Sequence, residues 1–463
     1  MNEAQAMPMP SVTAGAISEP WPATGRSWYA VAIFGLTVMT LFGNQFVTGL
    51  LVGPIKMDLH LTDTQVALII GFFAGLLNAI ASLPISRIID RFNRKVIIAI
   101  GLLIAGLSSA ASGCSNTSGQ LLIARLSGGL GGAGNGPATF SMLGDLFPPA
   151  KLPKALSVMN IGFSCGLALS MILGGTLIFA VQRMPVIEMP VIGALRPWQV
   201  CFLIMAVPDI ILGLLVWFTL REPKRRGLGV VGQPVAASAA VAPQSLPLSQ
   251  IFKYWWDNRA AFGPMYLGLA CNCIAMGSAF WMAEFYRRTF QWGPDKYGVL
   301  QGTVLLFLTP AFLVFGGWLA EHFARRGRDD ANLRVTMFST AAHIPFAVLF
   351  GLAGNPYLAL ILSVLNSCVV LIGSGPQNAA FQSIVPNRMR AQITASFLFV
   401  FTVSAAFGTL LAGWITDYLF QDESKLRYSL VLMHLVLGPL AAYFFWKGQK
   451  PYGAAFARAR EWH

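Results

Sequence analysis

Apolar runs of about 20 residues recur along this chain, and each is long enough to cross a bilayer as a helix. Inside the hydrocarbon core every backbone N–H and C=O must be paired within the chain, which leaves helices or closed barrels as the only spanning structures. Barrel segments are about ten residues long and alternate with period two; these runs do neither. The runs predict helices over 28–53, 64–85, 96–114, 119–146, 154–181, 198–220, 261–287, 297–323, 333–353, 356–385, 391–417 and 428–446. The expected fold class is therefore an all-α membrane protein with twelve transmembrane helices. Only 11% of the 463 residues are charged, against about 25% in soluble domains, which excludes an ordinary water-soluble enzyme. The first run is too long for a signal-peptide core, so it is expected to be retained.

The placement of positive charge predicts orientation. Of the 32 Lys and Arg, 23 fall on the N-terminal side of the membrane, eight on the opposite side, and one, Arg125, inside a span. Both termini are thus expected in the cytoplasm, with the protein in the cytoplasmic (inner) membrane. The net charge of +13 then follows from topology and calls for no nucleic acid partner. The chain divides into an N-terminal tail (1–27), a first six-helix bundle (28–220), a cytoplasmic linker (221–260), a second bundle (261–446) and a C-terminal tail (447–463). The linker opens with REPKRR and ends in FKYWWDNR, expected to be a short amphipathic helix lying at the interface. The six cysteines lie in or near apolar runs and form no disulfide framework. Cys271 and Cys273 point to different helix faces, so no metal site is expected, and no cofactor.

The two bundles echo each other. After the second helix come Ser86, Asp90, Arg91, Arg94 and Lys95; after the eighth come Gly317, Glu321, Arg325 and Arg326, with acid and base at matching intervals. Gly136-Pro137 in the fourth helix and Gly375-Pro376 in the tenth precede Pro148 and Pro386 at similar distances. Repeated six-helix halves are a transporter signature, with the substrate site near the midplane at their interface. No nucleotide-binding G-x-x-x-x-G-K-[ST] motif is present, and no motif of a membrane-embedded enzyme.

The loop SRIIDRFNRK resembles the signature loop of the major facilitator superfamily, with Ser86 and Asn93 standing where that loop usually has glycine. The stretches GPIKMDLHLTDTQ, LLIARLSGGLGGAG and DLFPPAKLPKAL resemble its spinster-like and organic-anion symporter branches. The resemblance implies two pseudo-symmetric six-helix halves and alternating access. It also marks departures. Spinster-like relatives usually carry Asp-Arg mid-way along the first helix, where this chain has Asn44 and Gln45, and the Glu often found in the fourth helix is Gly132. The antiporter signature of the fifth helix is incomplete in GLALSMILGG (166–175).

Arg125 is the leading substrate-binding candidate. A charge at bilayer depth should face protein or water. Gly129, Gly132 and Gly136 follow on its face and predict a groove below the guanidinium, a seat for a carboxylate; the alternative is a structural Arg. Asn44, Gln45, Asn160, Asn366 and Gln377 are candidates for lining the cavity, or for interhelical bonds. Trp281 is a candidate for stacking on substrate or for an interfacial belt. Glu284 is the remaining acid for proton coupling, or one side of a rim salt bridge; Asp209, His343 and His434 read as structural. The resemblance assigns Asp90, Arg91, Arg94 and Asp145 to an inner gate tied to the start of the eleventh helix, echoed by Glu321 and Arg325. The expected function is a secondary or facilitative transporter of a small organic anion, working as a monomer in the lipid bilayer. Proton coupling is expected to be weak or absent; an exporter of amphiphilic, lipid-like solutes is the alternative.

Overall fold

The computed structural model of the chain describes residues 21–89, 91–148, 151–184, 188–189, 193–225, 248–386 and 389–460. Asp90, the tail before residue 21 and the linker over 226–247 fall outside the described residues, as do the side chains of Asn160 and Ser164.

All twelve expected helices are present. They are α1 (Thr24–Leu50), α2 (Asp63–Ile89), α3 (Arg94–Gly113), α4 (Ser118–Gly132 and Asn135–Leu146), α5 (Leu152–Val181) and α6 (Pro197–Thr219) in the first half. The second half holds α7 (Arg259–Phe290), α8 (Pro294–Arg325), α9 (Ala331–Leu352), α10 (Pro356–Ser383), α11 (Gln392–Phe420) and α12 (Leu426–Arg460). Local chemistry sets several starts. Reciprocal capping boxes, Thr62 with Gln65 and Thr117 with Gln120, open α2 and α4. The Asn93 and Asn355 side chains cap α3 and α10.

Three features depart from the sequence expectation. α4 breaks at 133–134, because Pro137 has no N–H and its ring meets the carbonyl four residues back, within a glycine-rich stretch of low helix propensity. α10 stays continuous through the equivalent Pro376. α12 continues to Arg460, so the expected tail from 447 is helical almost throughout. A two-residue hairpin, Glu188–Met189 against Gly193–Ala194, joins α5 to α6.

The helix pairings repeat with an interval of six. α3 packs on α4 and α6, α1 on α5 and α6, and α2 on α4; likewise α9 packs on α10 and α12, α7 on α11 and α12, and α8 on α10. Between halves, α5 meets α8, α2 meets α11 and α1 meets α7. Small residues allow the closest approach: Gly298 and Gly302 of α8 lie against the Met171 and Ala168 carbonyls of α5. The apolar core divides unevenly along the bundle. One cluster joins both halves at the end remote from the termini, from Val47, Leu50 and Val66 to Trp281, Phe285 and Ile415. Nearer the termini each half has its own, around Phe34 and Met142 in one and around Phe262 and Phe381 in the other.

Candidate functional site

The end remote from the termini is tied shut by ions. Asp63, at the start of α2, is fully buried and accepts both terminal nitrogens of Arg288 on α7, each at 2.7 Å. Lys56 pairs with Asp63 from the short helix Val52–Leu59 and with Glu423 at 2.9 Å. Glu284, only 2% exposed, accepts from Arg288 Nε at 2.6 Å and from Arg287 Nε at 2.8 Å. A Cβ at Gly53 would lie 2.5 Å from the Glu284 carboxylate, so glycine there leaves the seat for it. A second tie crosses beside it: Asp417 accepts the Thr64 amide and hydroxyl, both at 2.6 Å. Asp417 lies in a π-helical turn, Ile415–Phe420, at the end of α11. Removing one partner of such a buried network costs about 3–5 kcal/mol. Glu284 is thus a member of the closure between halves, already neutralised by two guanidinium groups.

Lys56, Arg287 and Arg288 are among the eight cations that the charge distribution puts on this side, but nothing in the sequence joins them. The available signal was the concentration of acids at helix ends on the same side, Asp63, Asp417 and Glu423.

The first half holds its polar groups inside the bundle. Arg125 of α4 is partly buried, its guanidinium 5.6 Å from the centre of the Phe202 ring of α6, and its Nε is buried without a partner. No ion pair between described residues includes it. The expected groove beneath it is filled: Gly129 lies against the Ala74 carbonyl and Gly132 against Asn78, both of α2, and Asn78 Nδ2 donates to the Gly129 carbonyl at 3.0 Å. The glycines there serve close helix packing; Gly136, further along, faces open space, as does Gly375 in the other half. Asn44 of α1 donates from Nδ2 to Asp209 Oδ2 of α6 at 3.2 Å. Gln45 is exposed on the surface of α1.

In the second half, Trp281 is fully buried and donates from Nε1 to the Thr409 carbonyl at 2.9 Å. In this conformation it ties α7 to α11, its ring buried between them. Gln377 lines a cavity of about 10 Å³ with Asn272, Thr336, Ser339, Thr340 and His343, room for one water. The Gln377 Nε2 and His343 Nδ1 atoms there have no partner, and neither does Asn366 Oδ1 elsewhere on α10. His434 of α12 shares a hydrogen bond with Ser278 of α7 at 2.9 Å.

At the termini end, ion pairs between described residues stay within one half. Arg94 pairs with Asp145 and, at 2.7 Å, with Glu222. Glu222 was not anticipated; it follows α6 directly and also accepts the Lys95 amide at 2.9 Å. Among described residues Arg94 and Asp145 bind the first half together; the residues at the start of α11 to which the resemblance ties them fall largely outside the described ones. Arg91 is exposed, and Glu321 with Arg325 forms a solvated pair, 60% and 76% exposed, of a kind worth about 0–1 kcal/mol. The amphipathic linker helix is present as Leu248–Asp257. Burial pushes its Tyr254 phenol above the ordinary range, so the phenol stays a donor, to the Ile384 carbonyl of the second half at 2.6 Å.

The geometry is that of a two-halved bundle, closed by ions at one end, with unpaired polar groups in its interior. Comparison with known proteins agrees. An MFS-type efflux pump of Mycolicibacterium smegmatis is 24% identical over 92% of this chain and 94% of that protein. A probable L-galactonate transporter of Escherichia coli is 22% identical over 78% of this chain and 77% of its own length. Among solved structures, a bacterial homolog of the human lysosomal transporter Spinster, inward-facing and unoccupied, superposes with a TM-score of 0.73. It is 19% identical and covers 95% of this chain and 99% of that one. The family profile of the Major Facilitator Superfamily matches residues 33–409, and the chain belongs to that family of multi-pass membrane transporters.

Proposed function

We propose that this transporter carries a small organic anion by alternating access, with Arg125 as the group that holds the anion's carboxylate. The observation that carries this reading is the guanidinium itself: a cation inside the bundle, its Nε buried without a partner, joined by no described acid. A buried charge without a counter-ion is costly, so a carboxylate that pairs with it gains a charge-assisted hydrogen bond. The closure at the remote end supports access from the termini side. By the distribution of Lys and Arg, both termini and the linker over 221–260 lie in the cytoplasm, and the membrane is the inner one. Asn44, Gln377 and Asn366 are the polar groups proposed to line the path, and the protein is proposed to act as a monomer.

The relatives favour a second reading, export of an amphiphilic solute, since the M. smegmatis protein is described as an efflux pump. Proteoliposomes separate the two. Labelled carboxylates and a labelled uncharged amphiphilic solute are offered, with and without a pH gradient. Movement of a carboxylate supports the anion reading; movement of the amphiphilic solute alone supports the second.

A further inference from the structure

We propose that Asp209 and Asn44 form a proton-binding site inside the first half. Asp209 lies mid-way along α6 and is 1% exposed. Its Oδ2 accepts from Asn44 Nδ2 at 3.2 Å, while Asp209 Oδ1 and Asn44 Oδ1 are both buried without a partner. Those two oxygens are the ones a single proton would join. An ionised carboxylate has no hydrogen to give the amide oxygen. A neutral carboxyl donates O–H to Asn44 Oδ1 and accepts the amide N–H, giving a two-bond acid–amide pair with both orphans satisfied. The balance is one proton from water onto one carboxylate, and its release regenerates the site.

No cation among the described residues is paired with the carboxylate. On α1 the Thr40 hydroxyl also reaches this carboxyl, and it lies 3.2 Å from the Thr37 carbonyl to which it can donate instead. The elements packed on α6 are α1, α3 and α5. Their charged residues are Arg26, Arg94, Lys95 and Lys154, all in or beside a first turn at the termini end. Arg125, from α4, sits over Phe202, seven residues and about 10 Å along α6 from Asp209. If the anion reading holds, a proton on Asp209 removes a negative charge from the same side of the bundle as Arg125 and strengthens anion binding on the order of tenfold. That link rests on the proposed function; the proton site itself does not.

The test reads the proton directly and needs no substrate. Infrared spectra of the full-length protein in liposomes are taken across about pH 5 to pH 10, a range that spans ordinary and strongly perturbed carboxyl groups. The wild type should show a neutral-carboxyl C=O band that disappears as pH rises. Asp209→Asn should lack that component, Glu284→Gln should keep it, and Asn44→Ala should move its frequency through loss of the amide donor. If Asp209→Asn does not fold, Asp209→Glu must retain a titrating band at a shifted position. The proposal is overturned if no component depends on Asp209, if that component never titrates, or if sodium at constant pH removes it, which marks a metal-cation site.

Discussion

Arg125 and Asp209 are the two charged side chains carried by the middle turns of the first half, and neither meets an opposite charge among the described residues. The proposed function therefore places the energetics of transport in these groups, whereas Glu284 and Arg94 are held in ion pairs. Arg125→Ala should abolish carboxylate binding, and Arg125→Lys should weaken it at least about tenfold, because an ammonium lacks the planar two-pronged donor set. Binding to detergent-solubilised protein checks this, and unchanged affinity in Arg125→Ala would remove Arg125 from the site. Trp281→Phe tests a different assignment. The change removes the indole N–H from a carbonyl that α11 still pairs internally, at a cost of about 0.5–1.5 kcal/mol. A lower melting temperature with substrate affinity kept within about twofold is expected; a large loss of affinity at unchanged stability would return Trp281 to the binding surface.

At the scale of elements, the closure between α2 and α7 is the part most open to perturbation. Asp63→Asn removes the charge that holds both Lys56 and Arg288, so the closed state should lose about 3 kcal/mol relative to an open one. A cysteine at Val66, fully buried beneath the network, should then be alkylated faster than in the parent protein. Equal rates would show that the ions do not hold this end. Much of the framework was legible in the sequence, because lipid imposes apolar runs of fixed length and the helix ends follow from them within a few residues, except the end of α12, which continues beyond its apolar run to Arg460. The α4 break carried a local signal in Pro137 and its preceding glycines, but α10 passes through Pro376 unbroken, so tertiary packing decides between the two outcomes. Contacts between distant segments were not legible. Nothing near Asn44 points to Asp209, and nothing near Asp63 points to Arg288, since each pair meets only once the helices have packed. The glycine stripe under Arg125 misled for a related reason: period 3.6 marks a face without side chains, but a neighbouring helix fills such a face as readily as a ligand does.

On the scale of the molecule, the repeat of helix pairings six apart and the split of the apolar core describe two bodies in contact at one end. The topology proposed for them is directly testable. Single cysteines at positions 10, 240 and 455, in a background without the native six, should resist a membrane-impermeant reagent in intact cells. Labelling of any of them from outside would invert the orientation. Alternating access further requires that the ends open in opposition. Electron spin-echo distances can be read between labels at Met57 and Lys425 at the remote end, and between labels at Phe92 and Arg326 at the termini end, all exposed positions. The account predicts a short remote-end distance and a long termini-end distance in the parent protein, with Asp63→Asn populating the reverse combination. A single unchanged distance at both ends, or both distances lengthening together, would contradict it.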